Sequence, residues 1–152
     1  MVRERVTADV TARLRVRLAN EGAERVVTVA DAPRSHLYRQ SRGRSAPDGL
    51  WLYRVQDHPS RSGTCWTEPT SPDHTRTFLD GGTEYTTLAT GESVTTTYDI
   101  WDDYATAGYF PTGTYRFVTG IGYWTPGEDP DADNPTPSLE WWLELRVVAA
   151  GE

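Results

Sequence analysis

"VTADVTARLRVRL", Val6 to Leu18, alternates without a break. Val6, Ala8, Val10, Ala12, Leu14, Val16 and Leu18 stand between Thr7, Asp9, Thr11, Arg13, Arg15 and Arg17. Successive side chains of an extended strand point to opposite faces, so this spacing buries one face and wets the other. The run is longer than an ordinary strand, which predicts a bend or a switch between sheets within it. "NEG" (Asn20–Gly22) then predicts a tight turn, and "RVVTVA" (Arg25–Ala30) the return strand of a hairpin.

The same period returns near the far end of the chain, in "LEWWLELRVV" (Leu139–Val148). Leu139, Trp141, Leu143, Leu145 and Val147 make its apolar face, and Glu140, Trp142, Glu144 and Arg146 the other. A tryptophan among charges needs a reason. If the first strand runs beside the last, Arg13, Arg15 and Arg17 flank Trp142 and roof its ring by cation–π stacking. A dimer contact or a ligand surface through the Trp142 face is the alternative.

Between these ends lie short β-prone runs divided by Gly and Pro turns. "LWLYRV" (Leu50–Val55) is one strand, "EYTTLATGESVTTTYDIW" reads as two strands around a turn at Gly91, and "GYFPTGTYRFVTGIGYW" is a turn and a strand. Tyr115, Phe117 and Val118 are placed in or near the core. "QDHPSRSGTCWTEPTSPDHT" is mostly loop, with Cys65 and Trp66 as its buried anchor. Trp51, Trp66, Trp101 and Trp141 are the core tryptophans. No helical periodicity and no internal repeat is visible. The pattern predicts one all-β domain over residues 1–152, a sandwich of about seven to nine mostly antiparallel strands.

The chain has 152 residues, with 22 Asp+Glu against 15 Lys+Arg and a net charge of −7. All of the basic residues are arginine. A net negative surface repels phosphate backbones and argues against general nucleic-acid binding. An acidic, lysine-free chain fits a salt-adapted organism, and a GC-rich genome explains the arginine equally well. No run approaches the roughly 20 apolar residues of a membrane span, and no basic-then-apolar leader opens the chain. Cytoplasmic residence and an ectodomain of an anchored extracellular protein both stay open. Cys65 is the single cysteine, so no intrachain disulfide can form.

"TLATGESVTTTYDIWDD" (Thr87–Asp103) and "GYFPTGTYRFVTGI" (Gly108–Ile121) together resemble the second half of the intracellular proteinase inhibitor (BsuPI-like) Ig-like domain. Leu88, Gly91, Glu92, Trp101, Asp102, Gly113 and Tyr115 carry the match. Ala89-Thr90 departs from the proline usual before that glycine. "VRLANEGAERVVTV" is similar to the family's first hairpin, and Cys65-Trp66 stands in the region where the family carries a tryptophan. The resemblance implies an Ig-like sandwich and proteinase inhibition. These are turn and core residues, however, and no inhibitory contact residue is carried over.

Three constellations bear on chemistry. Asp129, Asp131 and Asp133 are spaced one residue apart, and Glu140 is twelfth counting from Asp129, the oxygen-ligand spacing of a calcium loop. Asn134 stands where that loop has glycine, prolines 130, 135 and 137 interrupt it, and no helices flank it. A solvated acidic hairpin loop is the rival reading. His58, Cys65 and His74, with Asp57 and Asp73 beside the histidines, offer zinc-ligand types without the spacing of a finger or ribbon. Ser, His and Asp occur in no Gly-x-Ser-x-Gly or triad order, so no enzyme activity is expected, although a Cys65 nucleophile with a loop histidine stays open. No cofactor is implied beyond calcium at the acidic loop.

The sequence therefore points to a non-catalytic binding or interaction domain with a protein partner. Two alternatives stand beside it. A proteinase inhibitor would present the 56–75 loop in extended form to a protease cleft. A carbohydrate-binding β-sandwich module would stack sugars on some of the six Trp, eight Tyr and three Phe.

Overall fold

The protein is described from a computed structural model, which covers residues 1–30, 43–55, 59–61, 63–68, 84–128 and 138–150. Among these residues eight strands follow in order: β1 (Arg13–Ala19), β2 (Arg25–Ala30), β3 (Gly43–Arg44), β4 (Leu50–Arg54), β5 (Glu84–Leu88), β6 (Ser93–Asp102), β7 (Gly113–Trp124) and β8 (Ser138–Val147). They form two four-stranded sheets, β1-β6-β4-β3 and β5-β2-β7-β8. Every strand pair is antiparallel. The result is the all-β sandwich that the period-two runs predict.

The long opening run is broken where a bend was expected. Thr7 Oγ1 accepts hydrogen bonds from the backbone N–H groups of Asp9 and Val10, and Arg3 bridges back to Arg13. A threonine hydroxyl serving its own downstream amides makes a local turn. The strand proper is therefore Arg13–Ala19, paired with β6 from Arg13↔Asp99 to Ala19↔Ser93.

The turn at Asn20–Gly22 does not make a hairpin. β1 belongs to one sheet and β2 to the other, so the chain arches across the core between them. The link from β5 to β6 makes the reverse crossing, with Gly91 at φ 83° in the left-handed region that suits glycine. Asn20 ties the two arches together. Its N–H donates to Glu92 O (2.9 Å), its carbonyl accepts from Gly91 N (2.6 Å), and its side-chain amide donates to Leu88 O (2.8 Å) and Ala23 O (2.9 Å). Backbone groups at such a crossing lose their ladder partners, and one amide side chain replaces them.

Between the sheets, Leu14, Leu50, Leu52, Tyr98, Ile100, Tyr115 and Phe117 form the main core, with Leu143, Leu145 and Val147 of β8 packed on it. A smaller cluster of Val27, Leu88 and Ile121 takes in Trp141 and Leu18. The third cluster lies on the outer face of the β1-β6-β4-β3 sheet: Trp51, Tyr53 and Trp101, covered by Trp66. β4 is thus buried on both faces from Leu50 to Tyr53, which is why "LWLY" reads as an unbroken apolar run.

Tyr115 closes the end of the main core. Its hydroxyl donates to Pro111 O at 2.6 Å, the arrangement of a tyrosine corner in a sandwich. Its ring lies so close to Gly49 that a Cβ there would stand 2.5 Å from Cε1.

The neighbour expected for Trp142 is wrong. β1 pairs with β6, whereas β8 pairs with β7, so the first and last strands edge different sheets. Arg13 instead forks to Asp99 (2.7 and 2.9 Å), and Arg17 bonds Ser93 Oγ (2.9 Å). The ring over Trp142 is capped by Arg116 of β7, whose guanidinium carbon is 4.1 Å from the indole centroid. An arginine does roof the ring, but it comes from the strand next door, and Trp142 stays 51% exposed. Leu139 and Val118, placed inward from the sequence, are also exposed, while Trp124 is buried edge-on to Tyr85.

Candidate interaction site at the loop end of the sandwich

The sandwich ends in two loops that Asp102 holds together. Its backbone N–H donates to Trp66 O (2.8 Å), and its carbonyl accepts from Glu68 N (3.0 Å). Its carboxylate accepts from Phe110 N (2.8 Å) through one oxygen and from Thr67 Oγ1 (3.4 Å) through the other. One residue at the end of β6 therefore fixes both the 63–68 segment and the 103–112 loop. Phe110 is held at φ +48°, a conformation rarely adopted by a residue of its size and found where the surroundings impose it.

Three more buried carboxylates brace this half of the molecule. Asp103 accepts from Ala105 N (3.0 Å), Glu68 from Tyr53 Oη (2.7 Å), and Asp99 from Arg13. Buried carboxylates are costly unless hydrogen-bonded, and these are built into the packing rather than aimed at solvent. Burial pushes the Asp102 carboxyl above the usual carboxylate range, partly offset by the Phe110 and Thr67 hydrogen bonds, with neighbouring Asp103 adding to the rise. Burial likewise raises the Tyr109 and Tyr115 hydroxyls above the usual tyrosine value.

On this frame sits an aromatic rim. Tyr104 and Tyr109 are about half exposed, and Tyr109 packs edge-to-face on Phe110 at 4.9 Å. Tyr109 Oη accepts the Trp66 backbone N–H (3.0 Å), and Trp66 Nε1 donates to Thr7 O (2.9 Å). Arg61 lies over the Trp66 ring at 4.5 Å and donates to Ala8 O. Gly63, Thr64 and Cys65, between Arg61 and Trp66 in the chain, are exposed. The rim offers flat rings, hydroxyls and one cation on a backbone with little freedom left to lose.

The residues singled out for chemistry fall differently. Asp129, Asp131 and Asp133 lie outside the described residues, as do Asp57, His58, Asp73 and His74. Glu140 is exposed on β8, opposite Gly120. Cys65 is exposed, not the buried anchor expected, and Trp66 is partly buried, stacked edge-on against Trp101 at 5.5 Å. Of the 56–75 loop, residues 59–61 and 63–68 are described. Among the described residues, no group of three or more His, Cys, Asp or Glu is placed to hold a metal, and no helix is long and apolar enough to cross a membrane. A cleft of about 140 Å³ at the opposite end, lined by Leu18, Val27, Leu88, Ile121 and Leu139 with Arg25 at its rim, has room for a single ring.

The sequence reading singled out none of the posts Asp99, Asp103 and Glu68. Composition hides them, since an acidic chain has many carboxylates and only the packing shows which are enclosed. The residues that carry the family resemblance serve turn and core here. Leu88, Trp101 and Tyr115 are buried, Gly91 turns the arch, Glu92 caps Ala89 N (2.9 Å), and Asp102 holds the loops. Compared with family models, curated proteins and solved structures, the chain matches none of them. What the fold defines is the class: an antiparallel, two-sheet all-β sandwich.

Proposed function

We propose that this chain is a non-catalytic interaction domain that holds a protein partner on the loop end of its sandwich. The observation that carries the reading is the rim of Tyr104, Tyr109, Trp66 and Arg61 on a frame locked through Asp102. Tyr, Trp and Arg are the residues that dominate binding energy at protein interfaces. A rim already ordered in the free protein avoids much of the cost of ordering on association. Selection of displayed peptides against the protein tests it. Peptides bound through this rim lose affinity for the Tyr104→Ala/Tyr109→Ala double variant and keep it for Trp142→Ala. Selected peptides indifferent to the double variant would sink the reading.

A proteinase inhibitor acting through the 56–75 loop, as the resemblance implies, is the second reading. It is favoured by the Gly63–Cys65 turn, which is exposed while its flanks are tied down by Arg61 to Ala8 O and by Trp66 to Thr7 O and Tyr109 Oη. A tethered, protruding segment suits a protease cleft. Mixing with serine proteases on a sizing column decides it: a stable complex with the loop intact supports inhibition, and cleavage within the loop without a complex removes it.

A further inference from the structure

Among the described residues the sandwich has four strand edges, and they are not alike. β3 is two residues long, β5 is five and pairs with β2 across a register shift, and β1 is flanked by its own chain through the Arg3–Arg13 bridge. β8 is ten residues long and pairs with β7 without a break from Ser138 to Val147. It contains no proline, glycine or lysine and no bulge, the usual devices that keep an edge from pairing. Among the described residues no strand occupies its outer side.

The inward face of β8 is only half covered. Trp141, Leu143, Leu145 and Val147 pack on the core yet remain partly exposed, and Leu139 is 54% exposed. A strand added beyond β8 would cover their open flanks and satisfy its unpaired backbone groups.

We propose that β8 pairs antiparallel with β8 of a second copy of this chain, about a two-fold axis at Leu143, to give one continuous eight-stranded sheet. Charge chooses the occupant and the register. Faces match only when residues shift by two along the strand. With Leu143 opposite itself, Glu140 faces Arg146 of the second copy, twice, and Trp142 faces Glu144. Inside, Trp141 meets Leu145 and Leu139 meets Val147. Sliding to centre on Trp142 would set Glu140 against Glu144 twice, and centring on Glu144 would set that carboxylate against itself. Opposite charges directly across a strand pair stabilise it and like charges oppose it. A two-fold pairing is also the commonest closed assembly of identical chains.

The test is sedimentation of the full chain across a concentration series, with charge exchange at the two paired positions. In β7 the partners of Glu140 and Arg146 are Gly120 and Thr114, so the exchange leaves that ladder undisturbed. The wild type is expected to form a dimer that high salt weakens. Glu140→Arg and Arg146→Glu are each expected to weaken it roughly tenfold, since each acts twice across the axis. The E140R/R146E double variant is expected to restore it. Hydrogen exchange of the wild type alone provides a check free of variants: protection of alternate amides in residues 139–147 should rise with concentration. A monomer at every concentration, leaving the edge to a different protein's strand, overturns the proposal. So does a dimer indifferent to both single variants, one the double variant fails to restore, or exchange that ignores concentration.

Discussion

Trp101 and Trp142 each lie on the outer face of a sheet, and the two are treated in opposite ways. Trp101 on β6 is wholly buried, stacked edge-on by Tyr53 at 5.6 Å and Trp66 at 5.5 Å. Trp142 on β8 is 51% exposed under one arginine. Both occupy the register that alternation assigns to the wet side of a strand. The difference is a covering segment. Residues 63–68 cross the first sheet and are fastened to it by the backbone bonds between Trp66, Glu68 and Asp102. Among the described residues, Arg116 of the neighbouring strand stands over Trp142. For these two rings the difference is therefore where a covering segment lands.

The sharpest way to break this comparison is to truncate both rings. Trp101→Ala should cost about 3–5 kcal/mol in denaturant unfolding, the range for removing a fully enclosed large aromatic. A loss comparable to that of a surface change would show that the outer cluster is no second core. Next in size comes the ion pair beside that cluster. Asp99→Asn removes the charge from a forked bond to Arg13 and should cost roughly 1.5–3 kcal/mol, read from the same transition. A neutral result would mean that solvent replaces Asp99 freely.

Asp102 sharpens the comparison through pH, because it fastens the covering segment. Its folded carboxyl titrates above its unfolded value, so the stability linked to it is fully present below the unfolded range and lost as pH rises through the folded one. Wild type should therefore gain stability relative to Asp102→Asn as pH falls from neutral through that window. A difference independent of pH would show that burial leaves this carboxyl unshifted. The smallest effect belongs to the open face. Trp142→Ala, measured at a dilution where the protein is monomeric, should cost about 0.5–1 kcal/mol, the worth of an exposed cation–π contact. A loss as large as that of Trp101 would mean that its exposed half is covered in solution.

Much of the architecture was legible locally. Arg13–Ala19, Leu50–Arg54 and the 138–147 strand all sit where alternation or a β-prone run put them. Trp51 and Trp101 were read as core and are buried, Trp66 is partly buried, and Tyr115 of the Gly-x-Tyr is the enclosed ring expected there. The loop-end site was half legible. Its aromatic residues stand out by type, but the carboxylates beneath them look like any others in an acidic chain. Whether a given Asp is a post or a surface charge depends on the donors that other segments bring to it, as the Phe110 amide and the Thr67 hydroxyl do for Asp102.

By itself, then, the sequence determined the strands and which side of most of them is apolar, because period two is a property of consecutive residues. Tertiary structure alone decided that Asn20 turns an arch rather than a hairpin, that β1 pairs with β6 while β8 edges the other sheet, and that Trp101 is roofed while Trp142 is left open. Those outcomes compare pairings between residues dozens of positions apart. Each depends on how much apolar surface the whole arrangement buries against the entropy of closing the loops between them.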